Sequence, residues 1–150
     1  MAVTWLDDEQ QHLWRRWLLL TTRLPAALNR QLQADSDLSL ADFDVLVKLS
    51  ETDGGRVRSR ELCAALGWEK SRLSHHLTRM GVRGLVERTG AARDARGSDV
   101  VLTPAGRAAI EAAAPAHVDT VRELFFADLT PAQLQVLTAL TDRVLDRLPD

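Results

Sequence analysis

The chain has 150 residues, 45% of them apolar and 27% charged, with a formal net charge of -2 at pH 7. That is enough material for one domain with its own hydrophobic core, in the composition range of soluble globular proteins. A single cysteine, Cys63, excludes an intramolecular disulfide, and no segment approaches the roughly 20 apolar residues of a membrane span. The first ten residues carry Asp7, Asp8 and Glu9 rather than a basic stretch followed by an apolar one, which argues against a signal peptide and for a cytoplasmic protein.

Leu13, Trp14, Trp17, Leu20, Leu24 and Leu28 recur at helical spacing, so residues from about 4 to 33 form a long first helix that Pro25 is expected to kink or interrupt. Ser39 followed by Asp42 makes a capping box for a second helix that reaches about Ser50, with Phe43, Leu46, Val47 and Leu49 on its apolar face. Residues 52–55, Thr-Asp-Gly-Gly, are a turn. Ser59 is placed to cap a short third helix from Arg60 to Leu66, which Gly67 ends. A fourth helix runs from about Lys70 to Val82, with Leu73, Leu77 and Met80 as its inner stripe and Gly84 as its stop.

Two strands follow, 85–88 and 98–102, around a polar tip (89–97) that holds Arg93, Asp94 and Arg96. Thr103-Pro104 caps an alanine-rich helix that extends to about Asp128, with a bend expected at Pro115. Thr130, Pro131 and Gln133 open the last helix, where Leu134, Leu137, Leu140, Val144, Leu145 and Leu148 make a broad apolar stripe. That stripe is wider than one lobe needs, so it marks an interface with a second chain. The fold class is therefore mainly α, an α+β winged helix-turn-helix. It is a single domain, 1–150, in which 1–35 and 104–150 form a helical dimerisation region and 39–103 a DNA-binding lobe.

Charge is unevenly placed. Residues 56–107 hold ten arginines and Lys70 against Glu61, Glu69, Glu87, Asp94 and Asp99, a net +6, while the rest of the chain carries -8. A basic middle between acidic ends is the electrostatic footprint of a nucleic-acid site, or else a solvated charged surface. The order of elements favours the first. Two short helices joined by a glycine turn, then a hairpin with a basic tip, describe a winged helix-turn-helix whose second helix fits a major groove about 12 Å wide. Lys70, Ser71, Arg72, Ser74, His75, His76 and Arg79 populate its polar side. Ser71, Arg72 and His75 are candidates for base contacts, Lys70 and Arg79 for phosphates, and His76 for an edge position.

The stretches RSRELCAALGWEKSRLSHHLTRM (Arg58 to Met80), GLVER (Gly84 to Arg88), DARG (Asp94 to Gly97) and LTPAG (Leu102 to Gly106) together resemble the MarR (multiple antibiotic resistance regulator) family. The Asp-x-Arg-Gly wing followed by Leu-Thr-x-x-Gly is the most specific part, and the flanking long helices extend the resemblance over nearly the whole chain. It implies a triangular homodimer on duplex DNA, most often a repressor, with the terminal helices as the interface and binding relieved by small aromatic acids or other xenobiotics. It also implies that Arg96 enters the minor groove, where a narrow groove concentrates negative potential, and that Asp94 orients Arg96 or a neighbouring arginine. Glu69 departs from the pattern. It stands where the family often has Ser or Asp as helix cap; a glutamate caps poorly and repels phosphate, which leaves the start of the recognition helix open by a residue or two.

Several residues carry two readings. Trp14 and Trp17, three apart, are either buried in a core or dimer interface or one wall of an effector pocket, with His12, Arg15 and Arg16 meeting an acidic ligand. Cys63, beside Leu62, Ala64 and Leu66, is a small buried hydrophobe or a redox sensor. Adjacent His75 and His76 point about 100° apart on a helix and cannot easily share a metal. No cofactor is implied. An enzyme would need a glycine-flanked nucleophile, a phosphate loop or a metal-ligand spacing, and none is visible. A pure protein-interaction module would leave a wing with Arg93 and Arg96 without a purpose.

Overall fold

The computed structural model describes residues 3–90 and 98–149. Six α-helices and three strands are found among them: α1 (Asp8–Ser36), α2 (Leu40–Ser50), β1 (Arg56–Arg58), α3 (Ser59–Leu66), α4 (Lys70–Val82), β2 (Val86–Thr89), β3 (Asp99–Leu102), α5 (Pro104–Val121) and α6 (Pro131–Leu145). Capping boxes open α1 at Asp7/Gln10, α2 at Ser39/Asp42 and α6 at Thr130/Gln133. Each leaves its first-turn amides with side-chain acceptors, so the boundary is set by local chemistry.

Neither internal proline interrupts its helix. α1 is continuous through Pro25 and α5 through Pro115. Each proline removes one helix hydrogen bond, to the carbonyls of Thr21 and Glu111, and both of those residues are exposed. α5 ends earlier than the expected Asp128. At Arg122–Phe126 it widens into a π-helical turn, closed by Ala127 N–H donating to the Arg122 carbonyl at 2.8 Å.

The sheet is antiparallel in the order β1-β3-β2, with Val57 opposite Val100 and Val86 opposite Leu102. Alternation sends Val57, Val86, Val100 and Leu102 inward, all 9% exposed or less. β1 extends the two-stranded hairpin read from the sequence. The expected polar tip at 89–97 lies largely outside the described residues, with Arg93, Asp94 and Arg96. The core joins Leu32 of α1, Phe43, Val45, Leu46 and Leu49 of α2, Leu62 of α3, Leu73, Leu77 and Met80 of α4, and Ile110 and Ala113 of α5. His117 of α5 is buried at the meeting point of three helices, its ring 4.2 Å from Phe43 of α2 and its Nδ1 3.3 Å from Gln31 Oε1 of α1. Burial pushes its pKa down, which favours the neutral ring.

The LTPAG stretch builds the joint between sheet and α5. The Thr103 hydroxyl accepts from Gly106 N–H (2.9 Å), capping α5, and donates to the Gly84 carbonyl (2.6 Å), tying α5 to the turn after α4. Gly106 faces the Leu85 carbonyl so closely that a Cβ there would stand 2.1 Å from that oxygen. Only glycine lets α5 approach this near.

The two chain ends are different. α6 buries no residue within one chain, and Trp5, Leu13, Trp14 and Trp17 near the other end are 43–81% exposed.

Candidate nucleic-acid interface

α3 ends at Gly67, whose left-handed φ of 64° lets Trp68 N–H reach back to the Cys63 carbonyl at 3.0 Å. Two residues on, α4 begins at Lys70. Its N-cap is Glu69, in extended conformation and without a side-chain cap bond, so the departure noted in the sequence leaves the first-turn amides of α4 without side-chain partners among the described residues. Leu73, Leu77 and Met80 are buried at 0–2% exposure, while Lys70, Ser71, Arg72, Ser74, His75 and Arg79 are exposed on the other side.

These exposed side chains are not equally free. The Arg72 guanidinium lies over the Trp68 ring, 4.2 Å from its centroid, a cation–π contact that limits where Arg72 can point. Ser74 is occupied: its carbonyl accepts from Arg88 Nη2 at 2.5 Å and its hydroxyl lies 3.3 Å from the same nitrogen. Ser59 does not cap α3 as expected. It is the first helical residue, and its hydroxyl donates to the Ser98 carbonyl at 2.7 Å, because β1 brings the start of α3 alongside β3. On the outer face of the sheet Arg56 Nη1 donates to Thr89 Oγ1 (3.0 Å) and Asp99 Oδ2 (3.1 Å), bracing all three strands.

His76 is buried, not at the edge of the polar face. It is 8% exposed, with its ring edge-on to Trp68 at 5.3 Å and Nε2 2.9 Å from Asp42 Oδ1. That contact is off the axis of a well-aligned ring N–H hydrogen bond. Arg79 Nη2 stands 3.1 Å from His76 Nδ1. Asp42 is the centre of the cluster. It closes the α2 capping box through Ser39 N–H at 2.9 Å and accepts from Arg83 Nη1 at 2.6 Å, while Arg83 Nη2 donates to the Asp37 carbonyl at 2.7 Å. Burial alone would raise the Asp42 pKa, but the close contact with His76, the bonds from Arg83 and the Ser39 amide, and the charge of Arg83 bring it well below the usual carboxylate range. The sequence marked Asp42 only as a helix cap. A carboxylate buried at position three of a helix, with an arginine just past the end of the recognition helix, was the available sign.

The remaining candidates are scattered. Cys63 is half-buried against the core, and burial pushes its thiol pKa up, away from the thiolate a redox sensor needs. Along α1, a shallow pocket of about 230 Å³ is lined by Trp5, Leu6, Gln11, Trp14 and Arg15. Of the proposed effector residues Trp14 and Arg15 border it; His12, Arg16 and Trp17 lie exposed elsewhere on α1. No group of three His, Cys, Asp or Glu side chains able to hold a metal occurs among the described residues, and no helix among them is long and apolar enough to cross a membrane.

A short helix, a glycine turn, a second helix with one polar face and a hairpin behind it define a winged helix-turn-helix protein. A profile of the MarR family matches residues 36–97. The chain is similar to AbsC, a MarR family transcriptional regulator from Streptomyces coelicolor, at 37% identity and a TM-score of 0.88, over 96% of this chain and 97% of that one. It is similar to Sco3205, another from the same organism solved in complex with DNA, at 36% identity and a TM-score of 0.91, over 99% and 93% of the two chains. A mutant MarR from E. coli complexed with operator DNA matches at 26% identity and a TM-score of 0.78, over 95% and 99%. No curated protein sequence matches. The chain belongs to the MarR family of transcriptional regulators.

Proposed function

We propose that the protein is a homodimeric repressor that reads a pseudopalindromic operator in duplex DNA through α4, and that a small aromatic or acidic effector relieves binding. The observation that carries the DNA-binding part is the division of α4, with Leu73, Leu77 and Met80 buried against Lys70, Ser71, Arg72, His75 and Arg79 exposed. Buried packing fixes the helix while its outer face keeps the cations and hydrogen-bond donors that base edges and phosphates require. The uncapped amides at its start suit a phosphate oxygen, with Glu69 setting how close one comes. Arg93, Asp94 and Arg96 are assigned to the wing contact from the sequence motif. The relatives solved with DNA support the same use of this fold.

The dimer is supported by the exposed apolar residues at both ends. Leu134, Leu140, Val144 and Leu148 of the last segment are 39–58% exposed in the single chain, which is the mark of an interface rather than of a solvated helix. His12, Trp14, Arg16 and Trp17 are proposed as the effector wall beside that interface. A two-fold dimer that places one α4 in each of two successive major grooves needs half-sites about 10–10.5 base pairs apart.

Selection of bound sequences from a random DNA pool, followed by titration against salt, tests the proposal. Inverted repeats at that spacing, with affinity falling steeply as salt rises, are expected; absence of salt-dependent duplex binding refutes it. A chain cut after Asp128 is expected to be monomeric or insoluble, and a soluble dimer in ultracentrifugation would refute the interface.

A further inference from the structure

Arg79 and His76 lie three apart on α4, with Arg79 Nη2 3.1 Å from His76 Nδ1. A guanidinium has five N–H donors and no acceptor, so Nδ1 must be unprotonated and accept. The ring proton is then on Nε2, the atom 2.9 Å from Asp42 Oδ1. Asp42 is itself fixed: Ser39 of the α2 cap and Arg83 both donate to it, and its side chain is only 5% exposed. The edge-on Trp68 ring at 5.3 Å closes another side of the imidazole. A chain of contacts therefore runs from the start of α2 through a buried histidine to an exposed arginine on the helix face turned outward.

We infer that His76 is a positioning residue for DNA binding: with its proton on Nε2, beside the buried Asp42 carboxylate, it accepts from Arg79 and aims that guanidinium at the phosphate backbone of duplex DNA. The inference rests on the DNA-binding reading of α4. His76 is 8% exposed and acts on DNA only through Arg79. One N–H of Arg79 is spent on the ring, and the rest of the fork remains for a bidentate phosphate contact. An unrestrained arginine loses rotamer freedom when it binds, whereas one already held has less to lose. Asp42 remains charged because its hydrogen bonds and the neighbouring Arg83 outweigh the cost of burial. The tautomer is thus fixed without any group on DNA.

The test uses the full-length protein and a mixed-sequence duplex long enough for two half-sites, with Kd measured across salt concentrations. Arg79→Ala is expected to lower the slope of log Kd against log salt by about 0.9 for each phosphate that the arginine no longer neutralises. His76→Gln, whose amide reaches the Nε2 position toward Asp42 but offers nothing at Nδ1, is expected to lower it equally. His76→Asn, whose amide oxygen takes the place of Nδ1, is expected to keep the wild-type slope. His76→Gln combined with Arg79→Ala is expected to bind no more weakly than Arg79→Ala alone. A wild-type slope in His76→Gln or in Arg79→Ala overturns the inference, as do equal losses in His76→Gln and His76→Asn. Wild-type protein without salt-dependent duplex binding would instead sink the DNA-binding reading beneath it. Nitrogen-15 NMR of wild type and Arg79→Ala, which leaves the core intact, gives a second readout. An unprotonated Nδ1 whose resonance moves in Arg79→Ala supports the inference, and an Nδ1–H tautomer or an imidazolium in the wild type overturns it.

Discussion

Gly106→Ala adds one methyl group at the joint between the sheet and α5, and the structure sets its cost. The new Cβ would lie 2.1 Å from the Leu85 oxygen, 3.1 Å from the Leu85 carbonyl carbon and 2.8 Å from Leu102 Cδ1. The leucine tip can turn aside. The Leu85 carbonyl cannot, because it is backbone and already accepts from the Thr103 amide at 3.3 Å. Relief requires α5 to withdraw by about 1 Å, which pulls Ile110 and Ala113 from a close-packed core. Overpacking of this kind costs about 1–3 kcal/mol, and weakening a Thr103 bond adds about 1 kcal/mol. The better helix propensity of alanine returns at most about 1 kcal/mol. The net loss is about 1–4 kcal/mol, or roughly 2–16 °C in Tm for a chain of this size. Circular dichroism melts at one fixed protein concentration measure it, since the stability of the proposed dimer would move with concentration. Ala108→Gly, exposed on the same helix, is the comparison and is expected to cost about 1 kcal/mol. A Gly106→Ala protein that melts at or above the wild-type temperature would refute the close-approach argument.

Three further outcomes are expected. Asp42 has a folded pKa held below its unfolded value, so its ionisation contributes stability above the unfolded carboxylate value of about 4, and that contribution is lost as pH falls further; urea melts of wild type and Asp42→Asn should therefore differ most near neutrality and converge in acid, and a gap that widens below pH about 4 would contradict the assignment. Arg72→Ala is expected to lose about 1–3 kcal/mol of operator binding and relax preference at one position per half-site, whereas Lys70→Ala weakens all sequences about equally; equal losses on operator and random duplex for Arg72→Ala would remove it from base readout. Arg96→Ala is expected to leave Tm nearly unchanged and weaken binding at least about tenfold, or about 1.4 kcal/mol, most on operators with narrow A/T-rich flanks; normal binding with an earlier melt would make Arg96 structural.

What could be read from the sequence was what local chemistry decides. The caps at Ser39, Thr103 and Thr130 placed the starts of α2, α5 and α6, and the left-handed glycines at 67 and 84 the ends of α3 and α4, because a first-turn acceptor or a left-handed exit acts over three or four residues whatever surrounds it. β1 was missed because three residues with a single inward valine carry no period; it exists only through its pairing with β3. His76 read as polar surface because its burial depends on Asp42 and Trp68, which no helical wheel of α4 contains. Ser59 does not act as a cap for the same reason, since its partner, Ser98, stands just before β3, 39 residues away. The prolines misled in the opposite direction: the rule that they break helices holds where the orphaned carbonyl is buried, and near Pro25 and Pro115 it is not.

The two strands at the root of the wing are clasped to two different helices. Arg88 of β2 grips Ser74 in the middle of α4, and Ser98, just before β3, holds Ser59 at the start of α3. Hairpin and helix pair are thereby cross-braced like a frame with two diagonals. Such a frame behaves as a lever and not as a hinge. A displacement of α4 is therefore carried through Ser74 and Arg88 to the root of the wing. In the dimer proposed above, any adjustment to operator spacing would then have to come from between the two chains.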